Sequence, residues 1–166
     1  CGSFRTTGSS GQTEDSFAKR YVWNYYNRVE RPMKVLEATN TWDYTTATFR
    51  QANGSTANQL DYVMGVQEDP VSARVKGLSY NGTPTTTVVG IGIDSTSVSS
   101  ATVSERALHQ STTALTPVNC EYKGYPGIGR HYLAWLEYSL AAGTTTWAGD
   151  SAINEFQSGI VGSISG

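Results

Sequence analysis

The side chains able to do chemistry in this sequence are few and poorly grouped. Two histidines, His109 and His131, and two cysteines, Cys1 and Cys120, are its only imidazole and thiol groups. A zinc site needs three or four His, Cys or carboxylate ligands that converge in space. Cys120 and His131 lie nearest to each other and neither has a short-spaced partner. No metal site is therefore expected, and the histidines read as strand residues. Two cysteines make no disulfide framework, so two free thiols are expected. A serine nucleophile held on a strained turn would follow the pattern Gly-x-Ser-x-Gly. The nearest approach, Gly162-Ser163-Ile164-Ser165-Gly166, fails at the first spacing. Gly90-Ile91-Gly92-Ile93-Asp94 is too short for a phosphate-binding loop and has β-type residues where a helix should begin. Close approach of two backbones at a bulge is the expected use of those glycines.

Glycan cleavage would need only two carboxyl groups at a fixed separation. Asp61, Glu68, Asp69, Asp94, Glu137, Asp150 and Glu155 are available, but spacing alone pairs none of them. Glu68-Asp69-Pro70 and Asp94 sit at turns, where acids usually cap or solvate a loop. Asn53-Gly54-Ser55 and Asn81-Gly82-Thr83 match the N-glycosylation pattern but read as ordinary Asn-Gly turns. No catalytic residue and no cofactor is assigned. The aromatics carry more information. Trp23, Tyr25 and Tyr26 fall early, and Trp42 and Tyr44 follow. Such rings stack on sugars, fill cores or anchor interfaces. The candidate ligand-contact loops are Thr41 to Tyr44 (Trp42, Asp43, Tyr44), Asn53 to Ala57 (Asn53, Ser55) and Asn81 to Pro84 (Asn81, Thr83).

The elements that must position these residues are short and alternating. Strand character appears at Tyr21 to Val29, Pro32 to Ala38 and Thr45 to Gln51. Pro32 has no amide donor, so it belongs at a strand start or on an edge. Leu60, Tyr62, Met64 and Val66 share one face at period two. In Val71 to Tyr80, Val71, Ala73 and Val75 point one way, and Arg74 and Lys76 the other. Asn81-Gly82 is a strong hairpin signal, because both residues tolerate positive φ. Thr87, Val89, Ile91 and Ile93 then line one face of Thr85 to Asp94. Ser95 to Thr116 reads as a strand and a long loop, with one helical turn possible at Glu105 to Gln110. Arg130 to Leu140 carries large apolar groups on both faces, which requires burial on both sides or contact with another subunit. Thr144 to Ala148 and Phe156 to Ile164 complete the pattern. About nine or ten short, evenly spaced strands predict an all-β sandwich or barrel.

Bulk properties agree with that reading. Charged residues make up 16% of the 166-residue chain, against about 25% in a typical globular protein. Thr, Ser, Gly, Tyr and Trp fill the gap and favour a pleated surface. The net charge is −2 with no basic run, which argues against nucleic-acid binding. No apolar run is long enough for a membrane-spanning helix, and no membrane insertion is expected. Residues 1–16, rich in Gly, Ser and Thr, read as a flexible arm or linker, and 17–166 as one β-sandwich domain. The start lacks Met and shows no secretory signal, as expected of a processed chain or a piece of a longer one.

Several segments carry a resemblance. They are Tyr26-Asn27-Arg28-Val29, Thr41 to Asn53 (TWDYTTATFRQAN), Ala57 to Asp61 (ANQLD), Gly90 to Thr96 (GIGIDST), Gly129 to Glu137 (GRHYLAWLE) and Gln157 to Gly166 (QSGIVGSISG). Together, over about residues 20–166, they resemble the C-terminal module of phage and prophage tail-fibre or minor virion structural proteins. The resemblance implies a virion location, contacts with other virion proteins and a role at a host surface, with a glycan or protein as ligand. It implies no catalytic assignment. By fold analogy it also implies a jelly-roll-type β-sandwich of the tumour necrosis factor kind, packed as a homotrimer. The candidate subunit interface is Tyr132, Leu133, Trp135, Leu136, Ile160 and Ile164. Alternatives are a head or tail decoration protein with only virion-internal contacts, and a small glycan-degrading enzyme.

Overall fold

In the computed structural model, which describes residues 1–110, 112–150 and 155–166, the alternating segments form strands, with no α-helix among the described residues. In chain order they are β1 (Gly2–Phe4), β2 (Lys19–Arg20), β3 (Val22–Asn24), β4 (Glu30–Leu36), β5 (Thr41–Asp43), β6 (Arg50–Gln51), β7 (Gln59–Met64) and β8 (Val71–Asn81). Then come β9 (Thr85–Ile93), β10 (Val103–Ser104), β11 (Arg106–His109), β12 (Thr112–Gly124), β13 (Gly129–Ser139), β14 (Thr145–Ala148) and β15 (Gly159–Ser165).

Two sheets pack face to face. β8 centres the seven-stranded sheet. It pairs with β12 on one edge and, end to end on the other, with β15 along Ser72–Lys76 and β14 along Leu78–Asn81. β10, β4 and β5 extend this sheet outward. β13 centres the six-stranded sheet, with β9 on one edge and β7 and β6 sharing the other. β11 and β2 lie beyond β9 and β7. β1 and β3 form a separate two-stranded ribbon.

The period-two faces become the core as the sequence predicts. Leu60, Tyr62 and Met64 of β7, Val89 and Ile91 of β9, and Leu133 and Trp135 of β13 form one side. Met33 of β4, Val71, Ala73 and Val75 of β8, Val118, Cys120 and Tyr122 of β12, Trp147 of β14, and Ile160 and Ile164 of β15 form the other. Pro32 sits in β4, which pairs only with β15, so its missing donor falls on the sheet's edge.

Five of the six interface candidates lie inside this core or its immediate cover. Leu133, Trp135, Leu136, Ile160 and Ile164 are fully buried within one chain, and Tyr132 is half-buried. The doubly apolar strand is explained without a neighbour. Leu133 and Trp135 face the opposite sheet, while the other face of β13 is covered by its own chain. Phe49 packs on Tyr138 with ring centroids 5.3 Å apart. The loop after β9 folds back over Gly90 and Gly92. A Cβ on Gly92 would overlap the Ser95 carbonyl, so glycine there permits the close approach predicted for it.

Three local expectations differ from what is found. Asn81-Gly82 does not close a hairpin: β8 and β9 belong to different sheets. Both edges of each strand are already taken, and Asn81 is buried, donating through Nδ2 to Ala142 O and Thr145 Oγ1 at 2.8 Å each. Most of Thr45 to Gln51 is loop, with only Arg50–Gln51 paired to β13. Within Ser95 to Thr116, residue 111 lies outside the described residues. Arg106–His109 is a strand on β9 rather than a helical turn, and β12 extends through a stretch read partly as loop.

Residues 1–16, read from composition as an arm or linker, carry backbone pairing. Gly2 to Phe4 pair with Val22 to Asn24, and Thr6 with Thr13. Asp61 supplies the anchor. It is buried, accepts from Arg130 through both carboxylate oxygens, and meets Arg5 Nη1 at 3.5 Å. Composition does not reveal this, because one long-range ion cluster holds the segment.

Trp23 closes the far end of the sandwich. It is 3% exposed, and its Nε1 donates to Ser165 O at 3.0 Å. A Cβ at Gly65 would overlap the indole ring. Gly65→Ala is expected to destabilise the fold by about 1–3 kcal/mol through this overpacking, read as a lower midpoint in urea unfolding followed by tryptophan fluorescence.

Candidate functional site

The three candidate loops meet at one end of the sandwich, where β13 finishes. What joins the first two is a carboxylate on the interior face of β13. Glu137 is fully buried. Its Oε2 accepts from Trp42 Nε1 at 2.6 Å, and its Oε1 accepts from Arg50 Nε at 2.7 Å and from the Asn53 amide at 3.2 Å. Trp42 comes from β5 of the seven-stranded sheet, and Arg50 and Glu137 from β6 and β13 of the six-stranded one. The bond set therefore ties sheet to sheet as well as loop to loop. Arg50 stacks on Tyr44 with Cζ 3.8 Å from the ring centroid, and the Tyr44 hydroxyl donates to Thr48 O at 2.8 Å.

Asn53 continues the network. It holds φ 55°, the left-handed conformation that Asn tolerates better than most residues. Its Nδ2 donates to Thr39 Oγ1 at 3.0 Å and to Glu37 Oε2 at 3.3 Å. Glu37 also accepts from Asn58 Nδ2 at 2.6 Å and the Thr39 amide at 2.9 Å. The third loop joins through β14. Thr145 donates its amide to Thr45 Oγ1 at 2.7 Å and accepts from Asn81 Nδ2, while Thr83 N donates to Asn81 Oδ1 at 2.8 Å.

The two carboxylates titrate differently. Burial pushes the Glu137 carboxyl up to about 7, against the pull of Trp42, Arg50 and Asn53. Burial also raises Glu37, but hydrogen bonds from Asn58, Thr39 and Asn53 outweigh it and hold that carboxyl below its ordinary value. One raised and one lowered acid is a pattern that glycan-cleaving sites use. Here, however, Glu137 has no exposed surface to meet a substrate, and its oxygens take three donors from its own chain. The arrangement braces loops.

Individual candidates separate accordingly. Asn81 is fully buried and braces the loop from within, which removes it as a ligand contact, while Trp42 is half-buried with its indole N–H on Glu137. Tyr44, Asn53 and Ser55 are half-buried, and Asp43 and Thr83 are exposed at the rim. Of the remaining acids, Asp69 pairs with Arg28 and Asp94 with His131, whose Nδ1 lies 2.7 Å from Asp94 Oδ2. Cys120 is buried, and burial pushes its thiol up to about 12, which suppresses the thiolate. Among the described residues no three His, Cys, Asp or Glu side chains group as metal ligands.

Nothing in the sequence marks Arg50 or Glu37 as a structural brace. Neither has a motif, and their partners lie far away in the chain. Tyr25 and Tyr26 are 51% and 78% exposed, and Tyr125 is 61% exposed.

Glu137→Gln is expected to cost about 1–3 kcal/mol, because a Gln amide nitrogen cannot accept from the buried donors. The variant should also change the pH profile. Burial carries the folded carboxyl from its ordinary 4.5 up to about 7. Its stabilising proton uptake is complete below about 4.5 and is lost as pH rises through about 7. The native-minus-variant difference in unfolding free energy, measured by urea titration, should shift in that window and be flat above it. No protein-family model matches this chain, and no curated protein matches it.

Proposed function

We propose that this chain is a non-enzymatic structural module of a phage-type virion, a fibre-tip domain of jelly-roll type that assembles as a homotrimer and presents loops to a host surface. The observation that carries the reading is the gathering of three turn-rich loops at one end of a rigid sandwich. Their interior polar groups are used to hold shape, and Asp43 and Thr83 are left at the rim. Rigid display limits the ordering cost of binding, and repetition in a trimer strengthens weak single sites. The jelly-roll reading draws support from strand order. β4-β15-β8-β12 in one sheet and β7-β13-β9-β11 in the other is the order that two interlocked Greek keys give. The resemblance of the segments quoted above to tail-fibre modules supports the location.

A decoration protein with only virion-internal contacts is the second reading, and one observation favours it. The outer face of the seven-stranded sheet is an open trough lined by Phe17, Pro32, Val103 and Val161, with Phe17, Val103 and Val161 exposed. In that reading a different virion subunit covers the trough. In the trimer reading it replaces the buried β13 and β15 residues as the candidate contact between copies.

Light scattering separates the two. A mass near three times 17.9 kDa supports the trimer, and Val161→Glu should then reduce it to that of one chain. A single-chain mass for the native protein favours the decoration reading. For attachment, Asp43→Ala with Thr83→Ala should weaken adsorption of the chain to bacterial cells while leaving its mass unchanged. Undiminished adsorption would remove these loops from the proposal.

A further inference from the structure

A second surface lies at the opposite end of the sandwich, where β13 begins. Trp23, Tyr25 and Tyr26 form an aromatic ladder that climbs from core to solvent, with exposures of 3%, 51% and 78%. Trp23 and Tyr25 meet edge-on with centroids 6.0 Å apart and planes at 66°. Tyr25 and Tyr26 meet at 5.5 Å and 85°. The backbone beneath them is fixed. Trp23 Nε1 donates to Ser165 O, the Tyr25 amide to Cys1 O at 3.0 Å, and the Tyr26 amide to Asn24 Oδ1 at 3.0 Å. Beside the ladder, Arg28 places its guanidinium carbon 5.8 Å from the Tyr25 centroid and donates through Nη1 to both oxygens of Asp69 at 3.0 Å.

We infer that Tyr26, Tyr25, Arg28 and Asp69 form a binding site for a neutral pyranose ring, stacked on Tyr26 and hydrogen-bonded through vicinal hydroxyls to Arg28 and Asp69. The chemistry matches in three respects. A pyranose has one face of C–H groups that packs on an aromatic ring, and Tyr26 offers a largely uncovered ring. Vicinal hydroxyls both donate and accept. Arg28 uses one nitrogen on Asp69, leaving further N–H donors beside a carboxylate that can accept again. The ion pair cancels its own charge, which suits an uncharged ligand over an anionic or cationic one. The backbone amides of Tyr25 and Tyr26 are held, which lowers the ordering cost of presenting the rings to a ligand.

The site extends the attachment reading to a second surface and names a ligand class. It does not depend on the trimer or on the loops at the other end. The probes are methyl glucopyranoside and methyl galactopyranoside, titrated into the full chain by NMR. Saturable shifts confined to the Tyr25 and Tyr26 ring protons and the Arg28 side chain are expected, with dissociation constants of roughly millimolar order. Tyr26→Ala should weaken binding about tenfold, while Tyr26→Phe keeps it, because the ring face and not the hydroxyl carries the stacking. Native-like tryptophan fluorescence in both variants verifies the fold. Failure of both glycosides to shift these resonances overturns the inference, as do shifts that persist unchanged in Tyr26→Ala. Glycoside binding together with unimpaired cell adsorption by Tyr26→Ala would uphold the site while counting against its use in attachment. Loss of adsorption in Asp43→Ala with Thr83→Ala alone bears only on the other end.

Discussion

The burial of the Glu137 carboxylate between the two sheets is the constraint around which one end of this molecule is organised. Taking a charge out of water costs several kcal/mol unless donors replace the lost solvation. Here Trp42 reaches across from one sheet, Arg50 lies alongside in the other, and the Asn53 amide closes from a turn. Each donor can serve only if its loop keeps one shape. The cost of burial is thus converted into a requirement for loop geometry, and Asn53 accepts a left-handed backbone to meet it. The same competition appears in the titration, where burial raises the carboxyl and the three donors oppose it.

The opposite end is organised by packing rather than charge. Trp23 packs its ring against Gly65, just past the end of β7, and sets its indole N–H on Ser165 of β15 in the other sheet. That plug fixes the root of the segment carrying Tyr25 and Tyr26. An ion cluster at Asp61 ties Arg5 and Arg130 together beside it and holds the first residues against the six-stranded sheet. The fold therefore presents two differently built surfaces: polar loops braced from within, and an aromatic ladder rooted in the core.

Much of the fold was legible because alternation is local. Val71, Ala73 and Val75 against Arg74 and Lys76 declare an inside and an outside before any partner is known. The same holds for Leu60, Tyr62 and Met64. The misreadings share one cause. Asn81-Gly82 has the residues of a tight hairpin, but whether neighbouring strands pair depends on which other strands claim their edges. Here β12, β14 and β15 take those of β8, and β11 and β13 those of β9. Arg106–His109 likewise becomes a strand because β9 offers an edge to it.

The sequence by itself determined the class of fold and the faces of its main strands, since a period of two and an excess of Thr, Tyr and Val act within each segment. It also determined that its acids, histidines and cysteines fall into no recognised motif. Only the tertiary structure decided which sheet each strand joins, that Leu133, Trp135 and Ile160 face their own core, and that Trp42 braces while Tyr26 is displayed. Trp42 bonds Glu137 and Trp23 bonds Ser165 across most of the chain length. Whether an aromatic is buried or offered to solvent is set by such distant partners, which the spacing of neighbouring residues does not encode.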